Sequence, residues 1–189
     1  MRMSIYSFIK QYVSKPRTVG AILPSSKYLA DKMIQNIDFT NARCIVEYGP
    51  GTGVFTEKIL EKKAQDTLVL LFETNKEFYL MLKEKYASKA NIHIVNDSAE
   101  NIEKHLLKHN ISCIDYVVSG LPFASLPADV SSNILAETKK HLKKEEGRFI
   151  TFQYTLFKKD FIGRYFNRIE IVREIRNVPP AYVFCCTQI

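Results

Sequence analysis

Between Cys44 and Tyr154, five short β-rich runs alternate with stretches of helical periodicity, and this pattern limits the fold more than any other feature. The runs are Cys44–Tyr48, Thr67–Phe72, Asn91–Val95, Asp115–Ser119 and Arg148–Tyr154. Between them lie helical patterns over Phe55–Lys63, Lys76–Tyr86, Ala99–His109 and Val130–Lys144, the last ended by Gly147. Parallel neighbours need a long crossover, and a helix is the usual one. The chain is therefore expected to be α/β, with a mostly parallel sheet and helices on both faces. Its last third changes character. After a short helix near Lys158–Phe166, strands over Ile169–Ile175 and Ala181–Thr187 are joined through Asn177-Val178-Pro179-Pro180. That connection is too short for a crossover, so this pair should be antiparallel.

A further segment precedes Cys44. Ile5, Phe8, Ile9, Tyr12 and Val13 recur at i, i+3, i+4, i+7 and i+8, one face of an amphipathic helix that Pro16 ends. A second helix is expected from a cap at Ser25 or Ser26 to about Asn36. The first helix, with its apolar stripe and basic flanks, suits a lipid interface, and equally suits packing on the body as a lid. Residues 1–40 are read as this lid and membrane-contact segment, and 41–189 as the catalytic core of one domain.

At 189 residues with 46% hydrophobic content, one ordinary core is expected. Net charge is +7, which favours polyanions, either nucleic acid or an anionic membrane, and is also compatible with simple solubility. The four cysteines, Cys44, Cys113, Cys185 and Cys186, lack zinc spacing and fit a reducing cytosol. His93, His105, His109 and His141 show no ligand spacing with acids or cysteines, so no metal is expected. No signal peptide is read. The longest purely apolar run, Leu68–Phe72, falls far short of the ~20 residues of a membrane span, so membrane contact should be peripheral. A cytoplasmic monomer on the inner face of the membrane is the corresponding expectation.

The chemistry concentrates at strand ends. Glu47-Tyr48-Gly49-Pro50-Gly51-Thr52-Gly53 follows a buried strand and opens a helix, where glycines let backbone approach a ligand. Pro50 and Thr52 break the dinucleotide-binding pattern, whose third glycine would fall at Thr56. Glu47 is placed to meet a cationic amino group. Glu73, followed by Thr74, ends the next strand, where a carboxylate accepts from both hydroxyls of a ribose. Asp97-Ser98-Ala99 ends the third and suits an adenine amine and ring.

Glu47–Gly53 with Glu73 and Asp97 resembles the first three motifs of class I S-adenosylmethionine-dependent methyltransferases, over about residues 40–155. The resemblance implies a Rossmann-like, seven-stranded sheet and S-adenosylmethionine as cofactor. It places Gly49, Gly51 and Gly53 around the methionine part, Glu73 on the ribose and Asp97 near the adenine.

The fourth strand ends in Ser119-Gly120-Leu121-Pro122-Phe123. Adenine-N6 methyltransferases, including ribosomal RNA adenine dimethylases, carry Asn-Leu-Pro-Tyr or Asn-Pro-Pro-Tyr there. Gly120 stands where that Asn would accept from the base, while Phe123 remains able to stack. The helical domain with which that family grips RNA is not expected after so short a C-terminal stretch. Lys15-Pro16-Arg17-Thr18-Val19-Gly20-Ala21-Ile22-Leu23-Pro24-Ser25-Ser26 is similar to the N-terminal signature of bacterial phospholipid N-methyltransferases. Ser119–Pro122 and Asn177–Val183 also resemble that family's motifs. The resemblance implies stepwise methylation of the amine of phosphatidylethanolamine at a membrane of anionic lipids, with RNA as the rival partner. Tyr12, Tyr28, Tyr154 and Tyr182 are candidates to line a head-group pocket through cation–π contact. Lys15, Arg17 and Arg176 are candidates for the lipid phosphate.

Overall fold

The structure, a computed structural model, describes residues 26–189. The helix expected over residues 5–13, with Tyr12, Lys15 and Arg17, lies outside the described residues. In chain order the elements are α1 (Lys27–Ile34), β1 (Cys44–Tyr48), α2 (Val54–Lys62), β2 (Leu68–Phe72), α3 (Lys76–Lys85) and β3 (Ile92–Val95). A 3-10 turn (Ala99–Asn101), α4 (Ile102–Lys108), β4 (Tyr116–Ser119), α5 (Ala128–His141), β5 (Arg148–Gln153), α6 (Lys159–Ile162), β6 (Arg168–Glu174) and β7 (Ala181–Thr187) follow.

The strands form one seven-stranded sheet in the order β3-β2-β1-β4-β5-β7-β6. The first five pair in parallel, and β7 runs antiparallel to both β5 and β6, as the short connection requires. Alternation along each strand divides the core in two. Ile45, Val69, Leu71, Ile150 and Phe152 pack on one face with α1, α2 and α3. Cys44, Val46, Tyr48, Leu70, Phe72 and Phe149 pack on the other with α4, α5 and α6. β1 and β4 are buried throughout because they are central and covered on both faces.

Several boundaries shift, and the helix expected near Lys158–Phe166 is the single turn Lys159–Ile162. α5 begins at Ala128, after Pro127, rather than at Val130. It ends at His141 because Leu142 turns extended and bridges Ile114 beside β4, so the helix does not reach Lys144. The helix expected up to Asn36 is α1. Ser26 caps it by accepting from Leu29 N at 3.1 Å, and Leu29, Ala30, Met33 and Ile34 are buried. This part of the 1–40 segment packs against the same face of the sheet as α2 and α3. Cys44, Cys185 and Cys186 are buried and Cys113 is exposed; burial pushes the Cys44 thiol up to about 12.

Candidate active site

The order of strands sets the place of the site. Chain direction reverses its drift between β1 and β4, and ligands of open α/β sheets bind beyond the carboxyl ends at such a switch point. β1 delivers the glycine turn there. Gly49, Gly51 and Gly53 all take positive φ, at 64°, 55° and 85°. Gly49 N donates to Phe72 O at 2.9 Å, and Gly53 N to Pro50 O at 2.8 Å. A Cβ on Gly51 would meet nothing within 4 Å, so this backbone faces open space at the start of α2. Pro50 is buried, while Gly51 and Thr52 are half-buried at the front of the turn.

Glu73, 6% exposed, ties the turn to β2. Its Oε2 accepts from Gly51 N at 3.0 Å and its Oε1 from Asn75 N at 2.9 Å. Each oxygen keeps a lone pair, enough for one further donor apiece, such as the two hydroxyls of a ribose. Burial raises its pKa. Thr74 is exposed beside it, its carbonyl accepting from Asn96 Nδ2 at 3.2 Å.

Glu47 sits beneath the turn, not at its surface, with 0% exposure. Its Oε2 accepts from Thr56 Oγ1 at 2.7 Å, and its Oε1 is buried without a hydrogen bond. Burial pushes its pKa up to about 8; the Glu73 charge adds to this and the Thr56 hydroxyl opposes it. Among the described residues neither Glu47 nor Glu73 forms an ion pair. Two buried carboxylates without a cation fit a ligand that brings positive charge, as a sulfonium cofactor does.

Asp97 is held more firmly than its place in the sequence suggests. Its Oδ1 accepts from Ser98 N and Asn101 Nδ2, each at 2.8 Å, and its Oδ2 pairs with His105 Nε2 at 2.9 Å. The His105 and Asn101 hydrogen bonds hold its pKa down to about 2. One acceptor position of Oδ2 remains for an adenine amine. Ser98 Oγ accepts from Glu100 N at 3.3 Å as the cap of the 3-10 turn. Ala99 is 5% exposed and packs with the core under the 3-10 turn.

Two aromatic residues of the motifs face the core. Tyr48 is fully buried, with its hydroxyl 3.1 Å from Thr138 Oγ1 and its ring edge-on to Phe72. Strand alternation turns it away from Glu47, so only its carbonyl, accepting from Gly120 N at 2.8 Å, serves the site. Phe123 is also fully buried, edge-on to Phe149, and offers no face to a substrate base.

β4 ends at Ser119, whose buried hydroxyl accepts from Leu121 N at 3.3 Å. A Cβ on Gly120 would stand 2.8 Å from Gly49 O, and one on Gly49 would stand 2.9 Å from Leu121 Cδ2. The end of β4 and the glycine turn therefore interlock, and position 120 has no room for a side chain in this backbone. Leu121 and Pro122 are half-buried, and Gln153 Nε2 donates to Leu121 O at 3.3 Å.

Beyond β5 the candidate head-group residues gather around the β6–β7 turn. Asn177, 3% exposed, accepts from Ser26 N at 3.0 Å and donates to Pro179 O at 2.7 Å. Its side chain also bonds the half-buried Tyr154 hydroxyl, whose pKa burial raises. Sequence reading gives the Asn177 side chain no role, yet it joins α1, β5 and this turn. Arg176 lies 4.3 Å over the Tyr28 ring, but it grips Glu174 with Nε at 2.9 Å and Nη2 at 2.8 Å. Its fork is thus largely committed before any phosphate arrives. Tyr182 is half-buried under the Arg173 guanidinium, 5.7 Å away.

The histidines are closer to acids than their spacing suggests. His105 pairs with Asp97, and Glu137 and His141, one turn apart on α5, meet Glu103 with one ligand atom each within 4.8 Å. Lys140 Nζ, 2.8 Å from Glu103 and 3.9 Å from Glu137, already pairs with both carboxylates.

Residues 21–171 match the family profile of ribosomal RNA adenine dimethylase. The chain belongs to this family of methyltransferases. It is a class I enzyme that uses S-adenosylmethionine, in keeping with the glycine turn and the two unpaired carboxylates. The ornithine lipid N-methyltransferase of Singulisphaera acidiphila is 31% identical over 183 residues, 96% of this chain and 94% of that enzyme. The ribosomal RNA small subunit methyltransferase A of a Hydrogenobaculum species is 26% identical over 131 residues, 69% of this chain and 47% of the relative. The chain thus spans about half the length of that ribosomal RNA enzyme. Among solved structures, a precorrin-6y methyltransferase from Geobacter metallireducens superposes with a TM-score of 0.67 at 12% identity, covering 85% of this chain and 88% of that one. A T. thermophilus 16S rRNA methyltransferase in complex with AdoMet and guanosine gives 0.63 at 16% identity, over 90% and 44%.

Proposed function

We propose that this methyltransferase acts on the amine of a lipid head group, of the phosphatidylethanolamine type, at a membrane surface. The observation that carries the reading is the interlock of Gly120 with Gly49 O, 2.8 Å from where a Cβ would stand. The position that would hold a base-accepting Asn has no room for one, and the neighbouring Phe123 is sealed in the core. Similarity to the ornithine lipid enzyme along nearly both full lengths supports the same direction.

The bound cofactor supplies an electrophilic methyl on a sulfonium. The chain has to bind the cation, orient the amine in line with that methyl, and keep water away. The start of α2, beside the open space at Gly51, gives backbone N–H groups for a carboxylate, Glu73 gives acceptors for a ribose, and Asp97 one for an adenine amine. The buried Glu73, and Glu47 once the cofactor's positive charge favours its ionised form, lower the potential at the carboxyl end of β1, which favours the positive cofactor over its neutral thioether product. Tyr154, whose ring no guanidinium covers among the described residues, gives aromatic surface for an increasingly methylated ammonium, whereas Arg176 and Arg173 already lie over the Tyr28 and Tyr182 rings.

The test is the rate of S-adenosylhomocysteine formation with vesicles of defined head group. Turnover with phosphatidylethanolamine or ornithine lipid, and none with phosphatidylcholine alone, is expected. Turnover with protein-free ribosomal RNA and none with amine lipids would establish the alternative suggested by the family profile, an adenine-N6 methyltransferase.

A further inference from the structure

The sheet divides the work along its carboxyl edge. The cofactor residues lie at β1, β2 and β3, and the acceptor motif at β4, beside β5. Continuing outward, the loop after β5 and the β6–β7 turn come to the same end, because Gln153 pairs with Tyr182 and Glu174 with Ala181. These two tips carry Phe157 and Val178, each 80% exposed, with Ile175 at 68% and Leu156 at 46%. Together with Tyr28 they make five of the nine large apolar side chains exposed among the described residues. Single exposed apolar residues are ordinary, but several at adjoining loop tips mark a contact surface.

The charge around them decides the partner. Lys158 and Lys159 follow Phe157 in the chain, Lys27 precedes Tyr28, and Arg173 lies 5.7 Å over the Tyr182 ring near the end of β6. Lys158 Nζ lies 5.7 Å from the Phe157 ring and 5.0 Å from the Phe161 ring, its stem along apolar surface and its charge beside it. Of the neighbouring carboxylates, Glu174 is closed by Arg176 and Asp31 by Lys58, at 2.8 and 3.1 Å, which leaves Asp160. Apolar tips rimmed by cations complement a bilayer with anionic head groups, where the tips enter the acyl boundary and the cations meet phosphates.

We infer that the loop after β5 and the β6–β7 turn dock this enzyme on an anionic bilayer, inserting Phe157, Ile175 and Val178 and opening the β4–β5 side of the site onto the head groups. The inference rests on the lipid-directed reading for its choice of partner, and it names the surface through which that substrate is reached.

The chain contains no tryptophan, so Phe157→Trp places a sole indole reporter at one tip. With full-length protein and phosphatidylcholine vesicles containing phosphatidylglycerol, its emission should shift to the blue and be quenched by bromine-labelled acyl chains. High salt should weaken the effect. Ile175→Ser and Val178→Ser should each reduce vesicle partition roughly tenfold while S-adenosylmethionine affinity by calorimetry is unchanged. Emission that stays red while the protein sediments with vesicles would overturn the proposal, since another surface would then bind. Emission already blue without vesicles would overturn it too, the tip then being covered within the protein itself. Quenching without methylation of any lipid would leave the docking surface in place and refute the substrate reading. Lipid methylation without quenching would do the reverse.

Discussion

Replacing Glu47 by Gln should make the protein more stable in alkali and less able to hold its cofactor. The carboxyl is fully buried, keeps one hydrogen bond from Thr56 and has its other oxygen unpartnered, so its ionised form is poorly solvated. Its pKa is therefore pushed up to about 8 from 4.5. Between these values the folded chain holds a proton that the unfolded chain has released, so stability is full at low pH and falls as pH rises through this window. The slope is about 1.4 kcal/mol per pH unit. From pH 6 to 8 this group alone should remove about 2 kcal/mol, or roughly 4–8 °C of melting temperature in a domain of this size. The E47Q variant has no such proton to lose, so the difference in melting temperature between it and the wild type should open by that amount. A cationic cofactor should stabilise the carboxylate and reduce the wild-type slope. Melting curves from pH 6 to 8, with and without S-adenosylmethionine, read both effects. Parallel curves for wild type and E47Q would refute the reasoning, because Glu47 would then be ionised throughout.

Glu73→Ala should cut S-adenosylmethionine affinity by roughly a hundredfold, the loss of two charged hydrogen bonds to the ribose hydroxyls, while circular dichroism reports an intact fold. Calorimetry with unchanged affinity would remove the ribose assignment. Gly120→Ala pushes a methyl against Gly49 O and should cost about 1–3 kcal/mol in thermal denaturation, with weaker cofactor binding. Gly120→Asn should add no methylation of ribosomal RNA in a label-transfer assay. His105→Ala frees Asp97 Oδ2 and should lower stability by about 1 kcal/mol, with a matching fall in cofactor affinity seen in the same titration.

Much of this architecture is legible in the residues. Apolar runs such as Leu68–Phe72 mark the buried parallel strands, and the short link through Asn177–Pro180 reports the antiparallel end of the sheet. The acids at the ends of β1, β2 and β3 are placed by their distance from those runs. Side-chain direction is harder to read. Tyr48 and Phe123 lie inside the motifs but face the core, and for Tyr48 the alternation Cys44, Val46, Tyr48 against Ile45, Glu47 carries the answer. The Glu137–His141 proximity is a helical i, i+4 pair, visible once α5 is assigned. The bonds of Asp97 to His105 and of Asn177 to Ser26 join residues 8 and 151 positions apart. The second of these depends on how α1 packs against the hairpin, which no local pattern encodes.

The central claim is methyl transfer to a lipid amine, and competition tests it most directly. Wild-type protein would be given S-adenosylmethionine with a deuterated methyl group, together with vesicles containing phosphatidylethanolamine and ornithine lipid and an equal mass of protein-free ribosomal RNA. Tandem mass spectrometry would then locate the label. Deuterated methyl on a head-group nitrogen, with the RNA unlabelled, is the predicted result. Label on adenine N6, with both lipids unchanged, would contradict the account.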